Sequence, residues 1–213
     1  MATLPPHRAE RAALCDLLVK VGPDAPTLCE GWTTYDLAAH LVIRERKPLS
    51  GPGLVMGGAA ARLTARMLVR AKETHPYSGL VALVRSGPPS LLAPFDKVMN
   101  LTEYFIHHED VRRGGGDTTP RTPQELVGLE AALWKSLRRG SKLMTRPLKT
   151  MGLDLVGPGG DVIHARPGTP TAILAGSPGE IVLFLSGRGG AAHVELGGPP
   201  PAVDALRGAG FGL

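Results

Sequence analysis

The apolar residues of this 213-residue chain change their repeat at about Thr150. Before that point they recur at three- and four-residue intervals, the period of helices that turn one face to a core. After it they fall in short runs of β-formers separated by Gly/Pro turns. A single period would allow an all-helical or an all-β fold. The switch predicts an α+β chain instead, with a helical bundle over residues 1–148 and a small α+β unit over residues 149–213.

In the first part, Leu14, Leu17, Leu18 and Val21 stand at i, i+3, i+4 and i+7, on a helix that ends near Gly22-Pro23. Thr33 and Asp36 have the spacing of a capping box, with Asp in place of Glu or Gln. Leu37, Ala38, Leu41 and Val42 then give a second helix its buried face, and Pro48 stops it. A third helix is predicted from Ala59 to Glu73, and a short apolar segment over Leu80–Val84 precedes Gly87-Pro88-Pro89. The strongest helical stretch runs from Phe95 to Arg113, with Val98, Met99, Thr102, Phe105 and Ile106 on its apolar side. Gly114-Gly115-Gly116 ends it. Thr122-Pro123-Gln124-Glu125 reads as the start of another helix, whose stripe is Leu126, Leu129, Leu133 and Leu137. Beyond Thr150, strands are predicted at Leu153–Val156, Val162–His164, Thr171–Leu174 and His193–Leu196. Ser177-Pro178-Gly179-Glu180 caps a helix through Leu185, and Ala202–Arg207 forms a last short one.

Composition removes several functions. The net charge is +5 and aromatic residues make up 4%, with no run of five or six basic residues, so nucleic acid is not the expected partner. The apolar run Ile181–Leu185 is far shorter than the ~20 residues of a spanning helix. Charges at Arg8, Glu10, Arg11 and Asp16 break any signal-peptide core, so no export and no membrane association are expected, and the location predicted is cytoplasmic. Cys15 and Cys29 are read as free thiols and small packing residues.

Glu103 and His107 are four apart on the strongest helix and project from one face, with Asn100 and Asp110 extending the stripe. A Glu and a His so spaced can hold one divalent ion; a plain solvated face is the competing reading of the same stripe. A third ligand must come from another helix, and His40 is the histidine placed well inside one. His108 lies about 100° around from His107 and cannot share its ion.

Two segments resemble a known family. Cys29-Glu30-Gly31-Trp32-Thr33-Thr34-Tyr35-Asp36-Leu37-Ala38-Ala39-His40-Leu41 and Glu103-Tyr104-Phe105-Ile106-His107-His108-Glu109-Asp110-Val111 are similar to the two signature stretches of the mycothiol-dependent maleylpyruvate isomerase family. That family belongs to the DinB-like superfamily of metal-binding four-helix bundles. Ser177–Glu180 and Leu185-Ser186-Gly187-Arg188 extend the likeness into the C-terminal unit. The resemblance implies a DinB-like bundle with His40, Glu103 and His107 as ligands of a divalent metal, zinc in the first place. It implies mycothiol as the thiol cosubstrate and an electrophilic or acidic small molecule as substrate. The reaction implied is a thiol-dependent transfer or isomerisation; a non-catalytic metal- or ligand-binding bundle is the alternative.

Asp36 and Asp110 are candidates to orient the ligating imidazoles, Asp36 with a competing role as a cap and Asp110 as a partner of Arg112 or Arg113. Arg188 is a candidate catalytic residue that binds an anionic substrate in a cleft between the units; its competing role is to complement a helix C-terminus. Gly157-Pro158-Gly159-Gly160 lacks the Lys-Ser/Thr of a phosphate loop. His7, His75, His164 and His193 are read as ordinary loop or strand histidines. The oligomeric state is left open by the sequence.

Overall fold

The computed structural model describes residues 4–46, 59–89 and 96–212. The expected helix stop at Pro48, the expected start at Phe95 and the side chains of Val98 and Met99 lie outside what is described. The fold is α+β and divides into two compact units, Met1–Asp117 and Thr118–Leu213.

Among the described residues, five helices build the first unit: α1 (Pro6–Val21), α2 (Thr34–Arg46), α3 (Ala59–Thr74), α4 (Tyr77–Ser86) and α5 (Asp96–Arg113). Helix α1 packs along α5 and α4, while α2 packs on α3 and α4. Leu14, Leu18, Leu37, Leu41, Leu80, Val84 and Tyr104 form the buried core of this unit. The segment Leu80–Val84, expected only as a short apolar stretch, is the inner face of α4. The expected turn chemistry holds at α2, where the Asp36 carboxylate accepts from the Thr33 amide at 3.1 Å and its hydroxyl at 3.0 Å. Gly22 closes α1 at φ +81°, a conformation in which a Cβ is strained.

The polar stripe of α5 is not a solvated face. Asn100, His107 and Asp110 are buried, and so are His108, Glu109 and Arg113 on its other sides. Each finds a partner across or along the unit. His108 Nδ1 meets Glu10 Oε1 at 2.8 Å, and the Glu109 carboxylate accepts from Arg112 Nη2 at 2.8 Å and from Arg113 Nε. Arg112 and Arg113, the arginines expected beside Asp110, thus both donate to Glu109.

The second unit holds α6 (Leu129–Met144), β1 (Gly152–Val156), β2 (Val162–Arg166), β3 (Thr171–Ala175), α7 (Pro178–Leu183), β4 (Glu195–Gly197) and α8 (Pro200–Arg207). The sheet order is β2-β1-β3-β4, with β1 parallel to β3 and the outer pairs antiparallel. Helix α6 packs on β2 and α7, so it is built into this unit, and the division falls at Asp117/Thr118 where residue 148 was expected. The Thr122–Glu125 cap forms, with the Thr122 amide donating to Glu125 Oε2 at 2.8 Å, but the helix itself starts only at Leu129. Gly128 at φ +75° interrupts the path between the two. Leu129, Leu133 and Leu137 then bury the expected stripe. Ser177 caps α7, whose last turn widens over Phe184–Arg188 and breaks at Gly187. Among the described residues no helix is long and apolar enough to cross a membrane.

Candidate metal centre

His40 lies on α2, and Glu103 and His107 lie on α5. One donor atom from each falls within 4.8 Å of the other two. The imidazoles of His40 and His107 stand edge to face, with ring centroids 5.0 Å apart. Glu103 Oε2 is 3.7 Å from His107 Nε2. Donors bound tetrahedrally to one zinc at ~2.1 Å lie ~3.4 Å apart, so three donors within 4.8 Å of one another close on an ion with side-chain shifts of about an ångström. The residues fit a divalent cation.

What surrounds the three donors favours that fit. Asp110 Oδ2 sits 2.9 Å from His107 Nδ1 and leaves Nε2 facing Glu103, the arrangement in which a carboxylate fixes the tautomer of a ligating histidine. The Trp32 ring lies 5.3 Å from the His40 ring and limits its rotation. Arg44, one turn beyond His40 on α2, places Nε 3.1 Å from Glu103 Oε2 and also donates to Asn100 Oδ1.

These contacts set the protonation states. Burial drives the His40 pKa down to about 3, and the neighbouring His107 adds to the effect, so His40 is neutral at ordinary pH. Burial opposes the charge on Glu103 as well, but the His107 hydrogen bond and the Arg44 guanidinium outweigh it and bring its pKa to about 2. Burial also pulls His107 down; the bonds to Asp110, Cys29 and Glu103 prevail and hold it well above the ordinary histidine value. Without a cation, His107 carries the proton of the trio.

The structure thus brings His40, Glu103, His107 and Asp110 together. Asp36 is occupied elsewhere: it caps α2 through Thr33 and pairs with Lys72 Nζ at 2.6 Å. Arg188 belongs to the second unit, where its Nη1 donates to the Ser186 carbonyl at 2.6 Å. His7, expected in a loop, is buried in α1, and His164 pairs with Asp154 at 2.8 Å.

Sequence reasoning passed over two residues. Arg44 carried a signal, because it stands four after His40 and shares its face. Cys29 did not. Its thiol donates to Asp110 Oδ2 at 3.2 Å, a contact made by the loop between α1 and α2. The Leu28 amide ties that loop to α5 by donating to the Asp110 carbonyl at 3.0 Å, one of the last four carbonyls of the helix. Gly114 lets the loop approach, since a Cβ there would run into the Pro26 carbonyl.

Residues 4–98 match the family model of the mycothiol maleylpyruvate isomerase N-terminal domain. The chain is similar in fold to the crystal structure of the mycothiol-dependent maleylpyruvate isomerase. The TM-score is 0.59 at 18% identity, over 92% of this chain and 95% of that one. A histidine-to-alanine mutant of the same enzyme gives a TM-score of 0.60 at the same identity and coverage. Among curated proteins none matches. Residues 4–98 are thus similar to the N-terminal domain of the mycothiol maleylpyruvate isomerase family, and the chain shares the fold of that isomerase.

Proposed function

We propose that this protein is a divalent-metal-dependent enzyme that uses a low-molecular-weight thiol, mycothiol by that similarity, to isomerise or transfer a small electrophilic substrate. The observation that carries the reading is the His40–Glu103–His107 trio, with its donor atoms within 4.8 Å of one another and Asp110 behind His107. A zinc-class cation held there supplies Lewis acidity and, through an open position, lowers the pKa of a thiol that reaches it.

The chain's own residues prepare that chemistry. Burial keeps His40 neutral and able to donate a lone pair. Asp110 takes the Nδ1 side of His107 and so aims Nε2 at the trio. Together with the His107 hydrogen bond, Arg44 keeps Glu103 ionised, and its contact limits the swing of that carboxylate. Asn100, in contact with Arg44, holds the guanidinium in turn. Arg188 is proposed as an anchor for an acidic substrate, because a guanidinium forks onto a carboxylate.

Elemental analysis of the purified protein, before and after His107→Ala, tests the metal; one equivalent per chain lost in the variant supports it. The Co²⁺-loaded protein tests the thiol, because added mycothiol must change the visible spectrum. A spectrum indifferent to thiols leaves a metal- or ligand-binding bundle as the function. For Arg188, the expected result of Arg188→Ala is a raised KM with kcat retained. Unchanged kinetics make the residue a local contact of the Ser186 turn.

A further inference from the structure

The Cys29 thiol has no part in the function proposed above, yet it stands against the same histidine. Cys29, His107 and Asp110 each offer a donor atom, and these atoms lie within 4.8 Å of one another. Two donor sets therefore meet at one imidazole. His107 turns its Nε2 side to Glu103 and its Nδ1 side to Asp110, whose Oδ2 also accepts from Cys29.

We propose that Cys29, His107 and Asp110 form a second cation site, selective for thiophilic divalent ions, which competes with the His40–Glu103–His107 set for their shared imidazole. The site stands on its own geometry; only the competition rests on the function proposed above.

Three observations support it. The first is donor chemistry. A thiolate, an imidazole and a carboxylate suit zinc, cobalt or cadmium, and the sulfur favours the softer ions over those that prefer oxygen. The second is charge. A divalent ion with a thiolate and a carboxylate makes a neutral assembly around Asp110, which is fully buried. The first set offers one anion, already paired with Arg44. A buried neutral cluster has a smaller desolvation cost than a buried cation. The third is construction. The Cys29 loop is fixed to α5 by the Leu28 amide and is braced internally by Thr27, whose hydroxyl accepts from the Cys29 amide at 3.2 Å. Cys29 is half-buried, which gives an ion a path in from solvent. Binding releases the thiol proton of Cys29 and the Nδ1 proton of His107 to solvent and leaves a proton on Nε2.

The test is a Cd²⁺ titration of the full chain, read by the near-ultraviolet thiolate-to-metal charge-transfer band, with far-ultraviolet circular dichroism to confirm that each variant is folded. The band is expected in the wild type, in Cys15→Ser and in His40→Ala. Cys29→Ser should abolish it and weaken Cd²⁺ binding by more than the roughly 10–100-fold that a hydrogen-bonding partner of a ligand contributes. Asp110→Asn should weaken it as well. A folded wild type and His40→Ala without the band, or a band that survives Cys29→Ser, overturns the proposal. The two readings fail separately. A normal band with metal binding indifferent to His40→Ala and Glu103→Ala defeats the proposed function and leaves the second site. Loss of metal in His40→Ala, with no band in any form, does the reverse.

Discussion

The chemistry of the centre is decided by which imidazole keeps its proton. His40 titrates at about 3 and Glu103 at about 2, so neither competes for protons near neutrality. His107 is held above the ordinary value, and a cation at Nε2 must displace its proton. Metal affinity is therefore expected to fall about tenfold per pH unit once pH drops below the folded His107 value, a decline that starts above 6.5. Calorimetry in buffers of different ionisation enthalpy should find one proton released per cation between pH 5 and 6.5. Two protons released there would mean that His40 titrates as an ordinary histidine. The metal-free protein follows the opposite course. A raised histidine pKa contributes stability below 6.5 that is lost as pH rises through the folded value. Asp110→Asn removes the acceptor behind His107; the expected loss of metal affinity is roughly 10–100-fold, measured by competition with a chromophoric chelator. An affinity unchanged in that variant would show that Asp110 does not orient the ligand.

At the scale of the element, α2 is positioned by its first turn. The Asp36 carboxylate satisfies Thr33 and pairs with Lys72 on α3, and these bonds hold its pKa below the ordinary value against the opposing effect of burial. Asp36→Ala should cost about 1 kcal/mol, the usual magnitude for a lost N-terminal cap, in urea unfolding near neutral pH. A depressed carboxylate pKa gives stability that is present above its unfolded value and lost on acidification, so the difference between wild type and variant should shrink below pH 4. A difference that persists there would trace to packing. At the other end of α5, Gly114→Ala should push the loop carrying Cys29 away from the helix. The expected signature is faster exchange of the Leu28 amide, which now donates to Asp110. Exchange at the wild-type rate would show that the loop yields without losing its anchor.

At the scale of the whole molecule, each unit has its own core, and all three residues of the proposed trio belong to the first. Binding therefore adds its free energy to that unit, about 2.7 kcal/mol at a cation concentration a hundredfold above Kd. Hydrogen exchange with and without Zn²⁺ should show added protection in α2 and α5, the helices that hold the donors. Protection confined to residues 118–213 would place the cation elsewhere.

Local patterns in the chain were enough to determine its elements and part of its centre. Periodicity locates α1 and α2, and short runs of β-formers between Gly/Pro turns locate the second unit's strands, because each element must bury one face whatever it packs against. Thr33 and Asp36 predicted their cap because a capping box involves residues three apart. Glu103 and His107 were legible as a pair for the same reason, since one helical turn brings them together. Other features depended on residues far apart in the chain. The start of α6 was misplaced because a sound cap at Thr122 is followed by a left-handed Gly128. The stripe on α5 looked solvated, and only the packed unit shows Asn100, His107 and Asp110 buried. Asp36, with a cap and an imidazole partner as its two readings, caps α2, and its pairing with Lys72, 36 positions away, has no local signal. Cys29 looked inert, and it reaches Asp110 across 81 positions. A buried polar group must find a partner, and which partner it finds is settled by the tertiary fold, where sequence spacing carries no information.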